Sequence, residues 1–359
     1  MTQQPIHGLC NAELAERAKA LLPRGHGMAR RIHRQAMREG RFQPEDFGLG
    51  REAAEAWRAA FSFELPELVT VRSDEGDDGA TSKMILRMQD GLEVESVRIP
   101  MGRGRYTLCV SSQVGCKMGC TFCETGRMGL LRHLRTDEII AQLLVARHRL
   151  GWPIRNLVFM GMGEALDNSE NVIRALRVLN DEAGLAIGQE RLTICTVGHV
   201  QGIRLLGQLG FKRLNLSISL NAANDSLRDE LMPINRRSDL AELQEVLMAY
   251  RPRRNFALGV NYCLLPGIND TAADARAVAA FCKPLERVLV NLIPYNPGST
   301  PLTRAPDEAE VERFIGWLRD EGLPVRERVT KGRSVMAACG QLGNPAARAE
   351  RRALRTVRV

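Results

Sequence analysis

Three thiols stand close together in Cys116-Lys117-Met118-Gly119-Cys120-Thr121-Phe122-Cys123, a C-x-x-x-C-x-x-C spacing with an aromatic residue directly before the last cysteine. A four-iron cluster is usually held by four thiolates. A tight loop that offers three leaves one iron open to another ligand, and chemistry can occur there. Local spacing of this sort also suits tetrahedral zinc. Structural zinc is usually completed by a second ligand pair, and neither a C-x-x-C nor an H-x-x-x-H follows. The six histidines show no metal spacing. His133, close after the loop, is the one alternative as a fourth ligand.

A second signal is the run Phe159-Met160-Gly161-Met162-Gly163-Glu164. By spacing alone its glycines make a turn at a strand end, and it is neither a phosphate loop nor a dinucleotide fingerprint. Outside these runs, Cys109 and Cys339 taken singly read as buried core thiols. Glu95, taken singly, reads as a solubilising charge on a strand. Cys10, Cys263 and Cys282 have no motif around them.

These groups need a scaffold that gathers them. From Tyr106 onward, strand-like segments at 106–110, 156–160, 192–196, 213–220, 257–265 and 287–294 alternate with amphipathic stretches at 136–149, 168–179, 240–250, 272–282 and 308–320. Such alternation predicts an α/β fold with a parallel sheet. Six units make an incomplete (βα)6 barrel, with chemistry at the loops after the strand C-terminal ends. The cysteine loop follows the first of these strands. Ahead of them, 82–88 and 92–99 flank Asp90-Gly91, a hairpin signal. The acidic stretch from Asp74 to Gly79 reads as an exposed loop. The expected organisation is a helical, basic module over 1–80, hairpin plus barrel with a C-terminal loop over 81–345, and a basic tail over 346–359.

The chain has 359 residues, 44% of them hydrophobic, enough for one barrel-sized domain and a smaller one. Nine cysteines, an odd number concentrated in one loop, argue against a secreted disulfide framework and for a reducing compartment. No apolar run reaches membrane-spanning length and the first residues lack a signal-peptide pattern, so a cytoplasmic, membrane-free protein is expected. The net charge of +8 is clustered: Arg30, Arg31, Arg34 and Arg38 stand near the start, and Arg348, Arg351, Arg352, Arg355 and Arg358 near the end. Such clusters concentrate polyanions, although basic faces are often merely solvated.

Read in order, Leu108 to Cys116, Phe159 to Glu164, Ser217-Ile218-Ser219-Leu220-Asn221-Ala222, Pro233-Ile234-Asn235, Gly267-Ile268-Asn269-Asp270 and Ala337-Ala338-Cys339-Gly340-Gln341-Leu342 closely resemble the RlmN/Cfr family of radical SAM RNA methyltransferases. The resemblance runs from about Thr81 to about Leu342. It implies a radical SAM barrel whose 4Fe-4S cluster is held by Cys116, Cys120 and Cys123, with S-adenosylmethionine on the open iron and two of its molecules used per turnover. It places Gly163, Glu164, Cys195, Ser219, Leu220, Asn221 and Asn296 around that cofactor. It implies methylation of an aromatic carbon of adenine in RNA, 23S ribosomal RNA first and transfer RNA as a further target. Cys339 would carry the methyl group, Cys109 would resolve a protein–RNA adduct as a disulfide forms, and Glu95 would act as base. An electron donor such as flavodoxin and a monomeric enzyme complete the expectation.

Two cofactor positions depart from the family: Cys195 replaces the usual serine and Asn221 the usual histidine. Lys331-Gly332-Arg333-Ser334-Val335-Met336 replaces a typically acidic stretch before Cys339. These departures keep a second reading open, a radical SAM enzyme on the same scaffold that modifies a different RNA or a small molecule.

Overall fold

The structure is a computed structural model that describes residues 3–250 and 252–343. The expected basic tail therefore lies outside the described residues. Near the N-terminus, α1 (Asn11–Leu21), α2 (Ala29–Glu39) and α3 (Arg51–Ala60) pack around their own apolar cluster, centred on Ile6, Leu14, Ile32 and Trp57. Cys10 and Glu13 begin α1 as a reciprocal cap, with the Glu13 carboxylate accepting from the Cys10 N–H at 3.1 Å. Helix α2 is masked in sequence by its arginines. Its buried face is Ile32, His33, Ala36 and Met37, with Arg30, Arg31, Arg34 and Arg38 exposed on the other side.

Among the described residues, ten strands form one sheet. Three antiparallel strands, β1 (Glu67–Asp74), β2 (Thr81–Arg87) and β3 (Glu93–Pro100), lead into β4 (Tyr106–Cys109). Parallel strands follow: β5 (Ile154–Phe159), β6 (Leu192–Thr196), β7 (Asn215–Ser219), β8 (Leu258–Leu264), β9 (Val288–Pro294) and the short β10 (Val325–Glu327). The sheet order is β10-β9-β8-β7-β6-β5-β4-β3-β2-β1. Six parallel strands, β4 to β9, are the expected incomplete barrel. The expected hairpin turns at Asp90-Gly91, where Gly91 has φ +80° and the Asp90 side chain accepts from the Leu92 N–H at 3.1 Å. Strand β1 makes the extension three-stranded.

Helices cover the sheet: α4 (Glu124–Met128), α5 (Thr136–Leu144), α6 (Ser169–Asn180), α7 (Val200–Gln208), α8 (Asp225–Leu231), α9 (Leu240–Ala249), α10 (Ala272–Cys282) and α11 (Glu308–Asp320). Asp307 and Glu310 cap α11 reciprocally at 2.8 and 2.9 Å, so the helix starts where its apolar stripe starts. Burial of Leu157, Ile194, Leu216, Ile218, Val260 and Val290 inside the sheet fixes the register, since slipping by one residue would turn every side chain over. The helical module docks on the loop after α6. Arg38 donates to the Gly184 and Glu182 carbonyls at 2.7 and 2.8 Å, and the Asn11 N–H donates to Asp181 at 2.5 Å. No helix among the described residues is long and apolar enough to cross a membrane.

Candidate active site

The cysteine loop leaves the C-terminal end of β4 and is closed at its base by an antiparallel pair, Gln113 with His133 and Val114 with Arg132. Gly115 at φ +77° makes the close crossing; a Cβ there would overlap the Gly129 carbonyl oxygen. The Ser111-Ser112-Gln113 run welds this loop to the glycine-rich segment at the end of β5. The Ser112 and Gln113 N–H groups donate to the Met162 carbonyl at 2.9 and 3.2 Å, and the Met162 N–H donates to Ser111 Oγ at 2.8 Å. Gln113 Oε1 accepts from the Glu164 N–H at 2.8 Å, while its Nε2 donates to Asp167 at 2.8 Å. Asp167 in turn holds Lys117 of the cysteine loop at 2.7 Å.

Cys116 and Cys120 are buried and Cys123 is half-buried. Burial pushes the Cys116 thiol up to about 12 and Cys120 well above its ordinary value, and charge on Cys123 opposes ionisation of both. Free, these thiols stay protonated; metal binding would displace the protons. No three or more His, Cys, Asp or Glu side chains among the described residues converge as ligands of a single ion. Thiolates on a four-iron cluster each bind a different iron and stand farther apart than ligands of one zinc ion. Three thiols in one apolar pocket with Met118, Met232 and Tyr295 therefore fit a cluster better than zinc.

Against this loop opens a cavity with about 860 Å³ of empty space, counting its mouth and the solvent there. Cys120, Cys123, Gly163 and Glu164 line one side, and Cys195, Ser219, Asn221 and Cys339 another. Glu164 is buried, its two oxygens accepting from the Leu166 and Val197 N–H groups at 3.0 and 2.9 Å. Burial raises it to about 7, with those hydrogen bonds opposing. An ammonium group entering the cavity would restore its charge, which suits the amino group of S-adenosylmethionine.

Cys195 has a defined environment: its sulfur accepts from Asn261 Nδ2 at 3.1 Å and lies 3.7 Å from Ser219 Oγ. Asn221 sits at φ +58°, a left-handed conformation that asparagine tolerates, and its side chain accepts from the Cys263 N–H at 2.9 Å. Leu220 does not line the cavity. Its side chain is buried, and its backbone bonds to the Asn261 carbonyl and the Arg228 side chain. Asn296 lies just outside as well, donating to the Cys339 carbonyl at 3.5 Å and accepting from Arg333 at 3.2 Å.

Cys339 is exposed at the cavity wall, though protein surrounds it on its other sides, and burial raises its thiol while Arg328 opposes the rise. Cys109 lies behind it, buried; desolvation and then charge on Cys339 push its thiol far up. Glu95 is also brought to this corner. It pairs with the buried Lys83 at 3.3 Å and accepts from the Gly343 N–H at 3.3 Å, and Lys83 donates to the Met336 carbonyl at 3.0 Å. Sequence patterns did not mark Lys83, nor the ladder that runs inward from Arg328, which donates to Asn291, and from Asn291 to Asn261 at 3.1 and 3.0 Å. Long-range hydrogen bonding between strands carries no local signature.

Comparison with known proteins agrees with this geometry. The sequence pattern of the Radical SAM superfamily matches residues 110–281. The Probable dual-specificity RNA methyltransferase RlmN 1 of Protochlamydia amoebophila is 46% identical over 74% of this chain and 74% of its own length. The Dual-specificity RNA methyltransferase RlmN of Syntrophotalea carbinolica is 38% identical over 83% of this chain and 79% of its own. A crystal structure of a radical SAM methyltransferase from Sphaerobacter thermophilus superposes with TM-score 0.85 at 35% identity, covering 94% of this chain and 99% of that one. At this identity over most of both chains, this protein belongs to the RlmN family of radical SAM RNA methyltransferases.

Proposed function

We propose that this enzyme methylates an aromatic carbon of adenine in RNA through an S-methylcysteine at Cys339. The observation that carries the reading is that Cys339 lines the cavity that the cysteine loop also lines, with the buried Cys109 close enough to feel its charge and Glu95 tied to Gly343 of the same C-terminal loop. Adenine carbons beside ring nitrogens are electron-poor, so polar methyl transfer to them is unfavourable. Cys116, Cys120 and Cys123 would hold a 4Fe-4S cluster, which would supply the one-electron reduction that radical chemistry on S-adenosylmethionine needs. Gly163, Glu164, Cys195, Ser219 and Asn221 hold that cofactor, with Leu220 and Asn296 supporting the wall from outside. Cys339 presents the methyl group at the cavity, Glu95 accepts the proton lost from the substrate carbon, and Cys109 attacks the Cys339 sulfur to release product as a disulfide forms.

Cys339 would take its methyl group from one S-adenosylmethionine and the radical chemistry would draw on a second, so two would be consumed in each turnover. The substrate is 23S ribosomal RNA, with transfer RNA a second target, in a cytoplasmic, monomeric enzyme reduced by a flavodoxin-like donor. Residues 1–80 supply RNA affinity through their exposed basic residues, Arg30 and Arg34 among them. Arg31 stacks on Phe47 at 4.8 Å and Arg38 is spent on the docking loop. Mass spectrometry of RNA from cells with and without the protein tests the reading: methyladenosine present only with the protein is expected. Identical modification profiles would overturn it.

A further inference from the structure

Arg228, on α8, is 1% exposed and among the largest fully buried side chains. An arginine keeps its charge at neutral pH, and a charge in the interior is costly unless it is compensated. Its hydrogen bonds all go to neutral acceptors: the Leu220 carbonyl at 3.1 Å, Asn235 Oδ1 at 2.6 Å, and the Val197 and Ser219 carbonyls at 2.7 and 3.5 Å. Two carboxylates, Asp225 and Asp229, are reached only across Asn235, whose Nδ2 donates to each at 2.8 Å. Neither is buried, so solvent screens both.

The guanidinium sits directly behind the cavity wall, because Val197 and Ser219, whose carbonyls it binds, line that cavity. Helix α8 is tied to the cysteine loop, with the Thr121 N–H donating to the Leu231 carbonyl at 3.0 Å. Burial pulls Arg228 down to about 10, and the charge of Cys120, ahead of those of Asp225 and Asp229, opposes that fall.

We propose that Arg228 is the counter-charge of the iron–sulfur cluster, a buried cation beside Cys120 that stabilises the extra negative charge of the reduced state and raises the reduction potential. This rests on Cys116, Cys120 and Cys123 being the cluster's ligands. Net charge and local electrostatics set such potentials. Asp229 acts against the arginine: it places a carboxylate behind it and cancels part of its field. Its side chain accepts one hydrogen bond, from Asn235, which an asparagine can keep.

Potentiometric titration of the anaerobically reconstituted protein, followed by the electron paramagnetic resonance signal of the reduced cluster, tests the assignment. Arg228→Gln should move the midpoint to more negative potential, Arg228→Lys should move it less in the same direction, and Asp229→Asn should move it to more positive potential. A purely structural role would not produce shifts of opposite sign. Midpoints equal to wild type in all three variants, or shifts of one sign for Arg228→Gln and Asp229→Asn, would overturn the proposal. Where Arg228→Gln takes up no iron, Asp229→Asn decides alone: an upward shift supports the assignment, and no shift or a downward one overturns it. Wild-type protein that takes up no cluster would instead overturn the ligand reading, and this assignment with it.

Discussion

The loop carrying Cys116 to Cys123 and the loop carrying Cys339 face one cavity but are built in opposite ways. The first is held by buried side chains. Asn168 donates to the Ser112 and Leu134 carbonyls at 2.8 and 2.7 Å, and Gln142 accepts from the Ser111 N–H at 2.8 Å. The second approaches Cys339 on more exposed ties, such as Lys331 to Asp78 at 3.0 Å and Arg333 to Asn296 at 3.2 Å. Lys83 on the Met336 carbonyl holds it just before Cys339, and beyond Cys339 the Glu124 N–H donates to the Gly340 carbonyl at 2.8 Å, Gln341 to the Pro297 carbonyl at 2.8 Å and Thr125 to the Leu342 carbonyl at 2.5 Å. Exposed hydrogen bonds open at lower cost than buried ones. The contrast separates a loop fixed along its length from one whose approach to Cys339 opens more easily than the stretch after it.

The contrast breaks most visibly if the fixed loop is not a ligand site. Replacing Cys116, Cys120 and Cys123 together by alanine should abolish iron uptake and the brown colour in anaerobic reconstitution. The melting temperature of the metal-free protein should stay near wild type, because Ser111, Ser112 and Gln113 hold the loop. Iron at full stoichiometry in the triple variant would refute the assignment.

A smaller effect sharpens the other side. Lys83→Met leaves Glu95 as an unpaired carboxylate in a site where the two side chains are 5% and 11% exposed. Removing one partner of a buried pair costs about 3–5 kcal/mol, and the loop carrying Cys339 loses its tie at Met336 as well. Denaturant unfolding should show that loss; a change under about 1 kcal/mol would mean that Lys83 is not held there as a pair.

Much of this architecture is legible in the sequence because it is local. Strand β6 and helices α10 and α11 fall at the positions their apolar periodicity predicts, and the cysteine spacing lies in one loop. What escapes is non-local or weakly patterned. Strand β1 is a half-exposed edge with little alternation, β10 spans only Val325–Glu327, and α8 is short and charged. Lys83 and Arg228 look like ordinary surface cations in sequence; only the fold shows that they are buried. Cys195 and Asn221, which depart from the family, are accommodated by partners brought from β8 and its neighbours.

The central claim is that Cys339 carries the methyl group and Cys109 releases the product, and one denaturing gel tests it. Cys109→Ala protein isolated with its RNA should run as a covalent protein–RNA species, because radical addition proceeds and resolution by thiol–disulfide exchange does not. The same species should be absent when Cys339→Ala is added. No trapped RNA on Cys109→Ala despite lost turnover, or a trapped species that persists without Cys339, would contradict the account.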